Sequence, residues 1–357
     1  MRLLMLTKYG RLGASSRLRS FAYVPAMEAA GWQVDVSPLL TDGYVVALQK
    51  GQSSIASVPQ AYLRRMASLW QAANYDLVWI EKDALPWVPE FVERWLLGER
   101  TRFVLDYDDA VFHHYDLHRS AVVRSVLGRK HDLLMKRASL VVTGNNYLAQ
   151  RARSAGAERV EIVPTVVDIE RYTDKAGRPL RNGPAEVVWI GQRSTGRYLQ
   201  PLAPIMRRLT ESGICRFTAI GIDAMQFDLP MRSVPWDEAN EGQLLAQFDI
   251  GIMPLPDTPF ERGKCGYKLI QYMACGLPVI ASPVGVNSTI VNHGINGFLA
   301  DASDDWVSAL SQLAGDPVLR QRMGTAGREA ASLRYSLAAT IPTLLPLLES
   351  LAARGHS

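Results

Sequence analysis

The chain has few cysteines and lacks long apolar runs. Its 357 residues contain three cysteines, Cys215, Cys265 and Cys275, and no Cys-x-x-Cys pair. This small, odd count argues against a disulfide scaffold and a structural zinc site, and it fits a reducing compartment. No stretch approaches the roughly 18 consecutive apolar residues of a membrane-spanning helix, and the N-terminus lacks a signal-peptide pattern. We therefore expect a cytoplasmic globular protein.

The first loop, Lys8–Arg17, lacks a dinucleotide fingerprint. It follows an apolar stretch but does not contain G-x-G-x-x-G, which weakens a nicotinamide or flavin assignment. The glycine and serine residues of this loop still allow a ligand to approach the backbone closely. Intrinsic disorder is excluded as a global description, because 48% of the residues are hydrophobic and only 21% are charged.

Short apolar runs alternate with longer amphipathic stretches along the whole chain. The predicted strands are Leu3–Thr7, Val34–Ser37, Leu77–Glu81, Arg102–Asp106, Leu140–Thr143, Val160–Val163, Val187–Gly191, Phe217–Gly221, Ile250–Pro254 and Val279–Ser282. Strands that are apolar throughout, with helices between them, indicate parallel sheets covered on both faces. The pattern occurs twice, so we predict an α/β protein with two doubly wound, Rossmann-like parallel-sheet domains.

We expect the domains to cover residues 1–170 and 171–335, with a C-terminal helix over 336–357. A hinge is expected near Val163–Pro179, which is charged and poorly periodic. Helices should separate the strands. Pro25 should break the stretch Ser15–Ala30, and Ser120–Arg137 should form a basic helix.

The most informative segment is Pro254–Gly285. A turn, Gly263-Lys264-Cys265-Gly266, opens a predicted helix at Tyr267, and Gly276 ends it. A glycine-rich turn before a helix is a ready anion site. Lys268 lies four residues after Lys264 and three before Gln271, so the three side chains share a helix face that suits a phosphate and a sugar hydroxyl. A solvated helix face with capping glycines explains the same spacing.

A second glycine turn, Gly191–Gly196, follows a predicted strand. Ser194, Thr195 and the backbone can hold phosphate oxygens, and Arg193 can pair with them. Many strand-to-helix loops share this composition, so the turn gains weight only beside the segment around Lys268.

Three carboxylates, Asp106, Asp108 and Asp109, end another predicted strand. Such a cluster can bind a divalent metal or orient a sugar, and a hydrogen-bonded turn is the structural alternative. His113 and His114 follow closely.

Basic residues are concentrated in one stretch of the first half. Residues 1–175 hold 23 Lys and Arg against 19 Asp and Glu. The stretch 119–137 contributes Arg119, Arg124, Arg129, Lys130, Lys136 and Arg137. A basic amphipathic helix suits an anionic membrane surface, which would make the protein peripheral on the cytoplasmic face. A solvated face is the alternative. No recognition motif accompanies the charge, so nucleic acid is not an expected partner.

Several motifs resemble the family 4 glycosyltransferases of the GT-B fold. They are VVWIG at 187–191, FDIGIMPLPD at 248–257, KLIQYMACGLPVIASPVG at 268–285 and HGINGFLA at 293–300. LDYDDAVF at 105–112 is similar to one branch found in polysaccharide pathways. The linker IVPTVVDIERY at 162–172 resembles the family's hinge.

The resemblance implies two Rossmann-like domains facing a cleft, with a nucleotide-diphosphate sugar held by the C-terminal domain and a saccharide or lipid-linked acceptor by the N-terminal one. It also implies retention of anomeric configuration without a metal or other cofactor. Lys268 and Arg193 would stabilise the leaving diphosphate, and Asp108 or Asp109 would orient a sugar. The other implied donor-binding residues are Gly13, Ala14, Gly191, Ser194, Thr195, Gly221, Trp236, Glu261, Gly263, Lys264, Gly266, Tyr267 and Gln271.

The sequence departs from the family at its Glu-x7-Glu motif. The two glutamates are replaced by Gly263 and Gln271. Glu261 is the nearest substitute for the first, and Gln271 can still hydrogen-bond ribose hydroxyls without a charge. Three alternatives therefore stay open: a sugar-nucleotide epimerase, a metal-dependent transferase using Asp106 and Asp108, and a catalytically silent scaffold of the same fold.

Overall fold

The computed structural model of the chain describes residues 1–49, 57–174 and 183–353. The chain folds into two compact units. Unit 1 comprises Met1–Thr165, Gly263–Cys265 and Thr340–Ser357, and unit 2 comprises Val166–Arg262 and Gly266–Ala339. The predicted hinge extends beyond the described residues at 175–179.

Unit 1 contains a parallel six-stranded sheet with the order β2-β1-β3-β4-β5-β6. Its strands are β1 Arg2–Tyr9, β2 Gln33–Leu40, β3 Leu77–Glu81, β4 Phe103–Tyr107, β5 Leu140–Thr143 and β6 Val160–Ile162. Each residue of β3, β4 and β5 is buried, which explains why these strands read as continuous apolar runs. The strand order reverses between β1 and β3, and ligands of open α/β sheets bind outside the carboxyl ends of strands at such a point.

The helices of unit 1 follow the strands as predicted, with local differences. They are α1 Ala14–Arg19, α2 Val24–Ala29, α3 Asp42–Gln49, α4 Val58–Trp70, α5 Glu90–Leu97, α6 His113–Asp116, α7 Ala121–Leu127, α8 Lys130–Arg137 and α9 Asn146–Ser154. The break expected at Pro25 is present, because α1 ends at Arg19 and Pro25 lies in the first turn of α2. Asn145 caps α9 by accepting a bond from the Leu148 N–H at 3.0 Å.

Unit 2 contains a second parallel six-stranded sheet, with the order β12-β11-β10-β7-β8-β9. Its strands are β7 Ala185–Ile190, β8 Cys215–Ile220, β9 Arg232–Val234, β10 Ile250–Met253, β11 Val279–Ala281 and β12 Gly297–Leu299. Strands β9 and β12 were not predicted, because each is a three-residue edge strand without an apolar run: β9 begins with Arg232 and Ser233, and β12 begins at Gly297. Here the strand order reverses between β7 and β10.

The helices of unit 2 cover both faces of its sheet. They are α10 Arg193–Gly196, α11 Ala203–Glu211, α12 Glu241–Leu245, α13 Pro259–Arg262, α14 Tyr267–Ala274, α15 Asn287–Ile290, α16 Ser303–Gly315 and α17 Pro317–Arg334. A last helix, α18, spans Leu337–Ala353 and includes Pro342 and Pro346. Short 3-10 segments lie at Phe21–Tyr23, Ala72–Asn74, Ile169–Arg171, Arg197–Leu202 and Ala224–Phe227.

The predicted single helix over Ser120–Arg137 is wrong. The segment forms α7 and α8, which are separated at Gly128, a residue with low helix propensity. The break lets Lys130 turn inward. Its ammonium lies 2.9 Å from Asp83 and 2.7 Å from Glu93, and its side chain is buried. Lys130 is therefore an internal counter-ion rather than part of a basic surface.

Among the described helices, none combines the length and the apolar character needed to cross a bilayer. The three cysteines are buried, and none of them forms a disulfide.

We predict that Lys130→Met lowers the free energy of unfolding by about 3–5 kcal/mol, because two buried carboxylates lose their cation. Although burial alone would lower the pKa of Lys130, Asp83 and Glu93 raise it above its ordinary value, so the residue is charged at neutral pH. Lys136→Met on the exposed face of the same helix is the matched control, and it should change stability by about 0.5 kcal/mol or less. Urea unfolding of both variants measures the difference, and equal effects would contradict the pairing.

Candidate functional site

Charged side chains of unit 1 meet at the carboxyl ends of β1, β3 and β4. Lys82 follows β3, and its ammonium lies 2.7 Å from Asp108 Oδ1 in the loop after β4. The other oxygen of Asp108 accepts a hydrogen bond from Ser15 at the start of α1. We call the set Ser15, Lys82, Asp108, Asp109 and Lys264 the unit 1 edge.

The backbone of Lys82 is held in a conformation that long side chains rarely adopt. Its φ is +66° and its side chain is buried. A strained, buried lysine at a strand end persists only where its surroundings fix it, and such residues cluster at functional sites. Glu81 supports it: its carboxylate lies 3.6 Å from the Lys82 ammonium and accepts bonds from Ser16 Oγ at 2.6 Å and the Lys8 N–H at 2.9 Å.

The two neighbouring aspartates of this edge have opposite protonation tendencies. Burial would raise the pKa of Asp108, but the charge of Lys82 and its hydrogen bonds outweigh burial and lower the pKa to about 2. Asp109 lies 3.5 Å from the Lys264 ammonium. Burial and the charge of Asp108 raise the pKa of Asp109, with Lys264 opposing them. When the pKa values of two neighbouring carboxyl groups are shifted in opposite directions, the two groups can have different roles in a site. Asp108 suits binding a ligand as a carboxylate, and Asp109 suits a role that depends on its protonation state.

Gly263 has no room for a side chain. A Cβ at this position would lie 2.4 Å from the Ala110 Cβ and 2.8 Å from its amide nitrogen. Asn145 holds the segment by donating from Nδ2 to the carbonyls of Gly263 and Lys264, at 2.9 and 3.0 Å. This packing accounts for the missing first glutamate, because a glutamate at 263 would displace the loop that carries Asp109.

Asp106 in β4 is paired with an arginine. Its carboxylate binds the Arg19 guanidinium through Nε at 3.1 Å and Nη2 at 2.5 Å, and Arg19 also donates to the Val163 carbonyl at 2.6 Å. Asp106 in β4 and Asp108 in the following loop therefore face different cations, Arg19 and Lys82. In the described ranges, no group of three His, Cys, Asp or Glu residues is arranged to hold a metal ion.

In unit 2, glycine turns and aromatic rings lie at the carboxyl ends of β7, β8 and β9. Gly221 has φ +89°, and a Cβ there would lie 2.4 Å from the Gly191 carbonyl oxygen and 3.4 Å from the Trp236 Cβ. Gly191 in turn covers the buried indole of Trp189, and the Lys268 ammonium lies 5.5 Å from the centroid of that indole. These contacts connect Gly191, Gly221, Trp236 and Lys268, which we call the unit 2 edge.

The three side chains after Gly191 that were predicted to hold phosphate differ in their surroundings. Arg193 and Ser194 are exposed at the start of α10. Thr195 donates its hydroxyl proton to the Gln192 carbonyl at 3.0 Å and so closes its own turn. Their predicted contact with phosphate stays a prediction.

Gln271 lies in a buried polar network rather than on an open wall. It is 2% exposed, and its Nε2 donates to Glu241 Oε1 at 2.6 Å and to the Tyr172 hydroxyl at 3.2 Å. Trp236 Nε1 donates to the other oxygen of Glu241 at 2.6 Å. Tyr267 joins through the Tyr172 hydroxyl at 3.1 Å. The Nε2 of Gln271 is therefore engaged within the protein.

Glu261 is also an internal residue. It is buried and accepts hydrogen bonds from Tyr198 at 2.5 Å and from the Thr258 hydroxyl. Gly266 is the N-cap of α14, which places Lys268 in the first turn of that helix.

The remaining predicted donor residues lie in unit 1. Gly13 is the N-cap of α1 and Ala14 is its first residue, next to Ser15 and hence to Asp108. Gly263 and Lys264 also belong to this unit. Within unit 1, the structure thus brings Gly13, Ala14 and Lys264 to the carboxylates at the carboxyl end of β4.

Sequence reasoning missed Lys82, Glu81 and Glu241. The signal for Lys82 was available, since Glu81-Lys82-Asp83 ends a buried strand in the same way as Asp106–Asp109 does. Glu241 had no such signal, because it belongs to a short helix and reaches Gln271 only in the folded chain.

We predict that Gly221→Ala destabilises the chain more than Gly294→Ala. Both glycines have positive φ, +89° and +80°, but a Cβ at Gly294 meets nothing within 4 Å. Gly294→Ala is the control and should lower the free energy of unfolding by about 1–2 kcal/mol through backbone strain alone. Gly221→Ala should lower it by about 1–3 kcal/mol more, because its Cβ collides with Gly191. Denaturant unfolding measures both changes in free energy. Equal changes would contradict the collision, because they would show that the loop of Gly191 moves aside without an energetic cost.

Residues 233–316 match the family model described as "Glycosyl transferases group 1". Apart from Gly263–Cys265, this segment lies in unit 2, and it includes Trp236, Lys268 and Gln271. The match thus covers the strand–turn–helix unit that contributes the lysine of the unit 2 edge.

One curated relative is the "D-inositol 3-phosphate glycosyltransferase" of Pseudarthrobacter chlorophenolicus. It is 26% identical over 224 residues, which are 55% of this chain and 52% of the relative. The chain thus spans about half the length of this relative.

Solved structures extend the likeness to the whole chain. The sucrose-phosphate synthase of Thermosynechococcus elongatus matches with a TM-score of 0.72 at 15% identity, over 99% of both chains. The HepE protein of Anabaena, solved in complex with UDP-glucose, matches with a TM-score of 0.71 at 18% identity, over 98% of this chain and all of that one. These likenesses show a shared fold, which agrees with the two parallel six-stranded sheets. The chain therefore has the GT-B fold, and residues 233–316 are similar in sequence to the glycosyl transferases of group 1.

Proposed function

We propose that the chain transfers a glycosyl unit from a nucleoside-diphosphate sugar to a hydroxyl group of a saccharide or lipid-linked saccharide, as a step in glycoconjugate or polysaccharide assembly. The observation that carries the proposal is the unit 2 edge. It combines two glycine turns in contact, an aromatic wall and a lysine at a helix start. Backbone that a ligand can approach closely, next to a cation and a helix N-terminus, suits a diphosphate.

UDP-glucose is the first donor to test, since it is the ligand in the HepE complex. Lys268 would stabilise negative charge on the departing diphosphate, and Arg193 would add a second cation. Fixed positive groups aimed at developing charge are often the largest contribution to catalysis in such a site. Trp236 and the backbone of Gly221 would contact the nucleoside.

The acceptor is proposed to bind at the unit 1 edge. Asp108, ionised and held by Lys82, would accept hydrogen bonds from sugar hydroxyls. Asp109, with its raised pKa, would lie next to the reacting hydroxyl. The acceptors to test are saccharides and lipid-linked saccharides. An inositol phosphate is a further one, because the relative from Pseudarthrobacter chlorophenolicus is a D-inositol 3-phosphate glycosyltransferase.

The reaction is proposed to retain anomeric configuration. The bond between the anomeric carbon and the diphosphate oxygen breaks, and a bond from that carbon to the acceptor oxygen forms on the same face. The acceptor proton passes to the departing diphosphate oxygen, while ionised Asp109 accepts a hydrogen bond from the acceptor hydroxyl and orients it, so neither a general base nor a metal is required. Product anomers identified by NMR test retention. Loss of activity with a chelator would favour the metal-dependent alternative, and conversion of the donor without acceptor would favour an epimerase.

We expect Lys268→Met to lower kcat by about 100- to 1000-fold, because a group that stabilises the departing charge is lost. Lys268→Arg, which keeps the charge, should recover part of this loss. The matched control is Lys136→Met, an exposed lysine of unit 1. Transfer from radiolabelled UDP-sugar measures all three. Full activity of Lys268→Met would refute the assignment, and absence of nucleotide binding in the wild type would favour the silent scaffold.

The two aspartates should differ in their effect on the pH profile. Asp109 has a raised pKa, so activity should fall as acid protonates it, and Asp109→Asn should lower kcat and remove this acid limb. Asp108 stays ionised above about pH 2, so Asp108→Asn should raise the acceptor KM and leave the acid limb in place. Steady-state rates between pH 5 and 9 (roughly the range of folded enzymes) test this. An acid limb that persists in Asp109→Asn would contradict the role of Asp109.

A further inference from the structure

Unit 1 exposes large apolar side chains on two adjacent helices. Leu63 and Trp70 of α4 are 66% and 67% exposed, and Phe91 and Trp95 of α5 are 61% and 70% exposed. Most large apolar residues of the unit are buried in its core, so four such residues in one area require a reason. We call these four residues the aromatic patch.

The helix geometry makes the patch continuous. Leu63 and Trp70 are seven residues apart, and Phe91 and Trp95 are four apart, so each pair lies on one face of its helix. The rings of Trp70 and Trp95 meet edge to face, with their centroids 6.1 Å apart. This contact joins the exposed faces of the two helices into one surface.

The charges around the patch are mainly basic. Arg64 and Arg94 are exposed on the same two helices, and α4 contains no acidic residue. Both acidic residues of α5 face inward: Glu90 and Glu93 are buried, and Glu93 lies 2.7 Å from the Lys130 ammonium.

One acid lies at the border of the patch. Glu99, two residues after α5 ends, is exposed and lies 3.8 Å from Arg94 Nε and 3.9 Å from Arg137 Nε. These two arginines offset its charge. The surface therefore complements a negatively charged partner.

We propose that the aromatic patch docks unit 1 onto the surface of an anionic lipid bilayer. Indole rings favour the boundary between head groups and acyl chains, where the ring is in apolar surroundings and the N–H is hydrated. Phe91 and Leu63 would enter the acyl region, while Arg64 and Arg94 bind phosphate groups. This surface differs from the stretch 119–137, in which the helix is broken and Lys130 is buried. The proposal does not depend on the proposed enzymatic activity, since binding is measured without turnover.

The test is co-sedimentation of the full chain with vesicles of phosphatidylcholine, with and without phosphatidylglycerol. Wild type should bind the anionic vesicles much more tightly than the neutral ones. Trp70→Ser/Trp95→Ser should weaken binding on the order of tenfold or more, because the indoles no longer leave water. Arg64→Gln/Arg94→Gln should weaken binding to anionic vesicles by about fivefold for each arginine and leave binding to neutral vesicles unchanged.

Matched controls exist in unit 2 and on either side of α7. Leu333→Ser and Arg322→Gln replace exposed residues of α17 and should leave vesicle binding unchanged. Arg119→Gln/Arg129→Gln removes the same charge as the arginine pair of the patch, but from the stretch 119–137. A larger loss in this variant than in the patch variants would overturn the location. All substituted side chains are exposed, so unchanged thermal unfolding is expected and verifies that each variant folds.

Two further outcomes would overturn the proposal. Equal binding to neutral and anionic vesicles would contradict the role of the arginines. Self-association in sedimentation velocity without vesicles, abolished by Trp70→Ser/Trp95→Ser while vesicle binding persists, would assign the patch to a contact between copies of the chain. A wild type that stays monomeric and whose tryptophan fluorescence is quenched by brominated lipid supports docking.

Discussion

A charge inside a protein must be paired, and this constraint organises the loops of unit 1. Four of its carboxylates, of which those of Asp83, Glu93 and Asp106 are buried, each face a nearby cation. Asp106 binds Arg19, Asp108 binds Lys82, and Asp83 and Glu93 share Lys130. Removing one partner of such a pair leaves an uncompensated charge at a cost of several kcal/mol. The pairing therefore fixes the backbone at the carboxyl ends of β3 and β4, where the acceptor is proposed to bind.

The unit 2 edge is built from close backbone contacts, whereas the unit 1 edge is built from pairs of opposite charges. The turns after β7 and β8 approach until the site of a Gly221 Cβ lies 2.4 Å from the Gly191 carbonyl. The contact between the two turns leaves no room for a side chain, and Lys268 and Trp236 complete the unit 2 edge. A polyanion such as a diphosphate can lie against the backbone of these turns without displacing a side chain. Lys268 supplies a positive charge that the turns themselves lack.

The sequence sufficed for the α/β class, the two sheets and ten of the strands, because buried parallel strands are apolar throughout and lie between helices. It did not suffice for side-chain partners. Gln271 was expected to bind ribose, but its amide meets Glu241, which is 30 residues away in the chain. Lys130 was assigned to a basic surface, but the chain breaks at Gly128 and Lys130 points inward, where its ammonium pairs with Asp83 and Glu93. Pairings between distant residues leave no local periodicity, so only the folded structure reveals them.

Hydrogen–deuterium exchange of the wild-type chain with and without saturating UDP, and then GDP and ADP, tests the central claim that the unit 2 edge holds a nucleoside diphosphate. We expect one of these nucleotides to slow exchange in the turns after β7 and β8 and in the first turn of α14, where Lys268 lies. Slowed exchange confined to unit 1, or no change with any of the three, would contradict the claim.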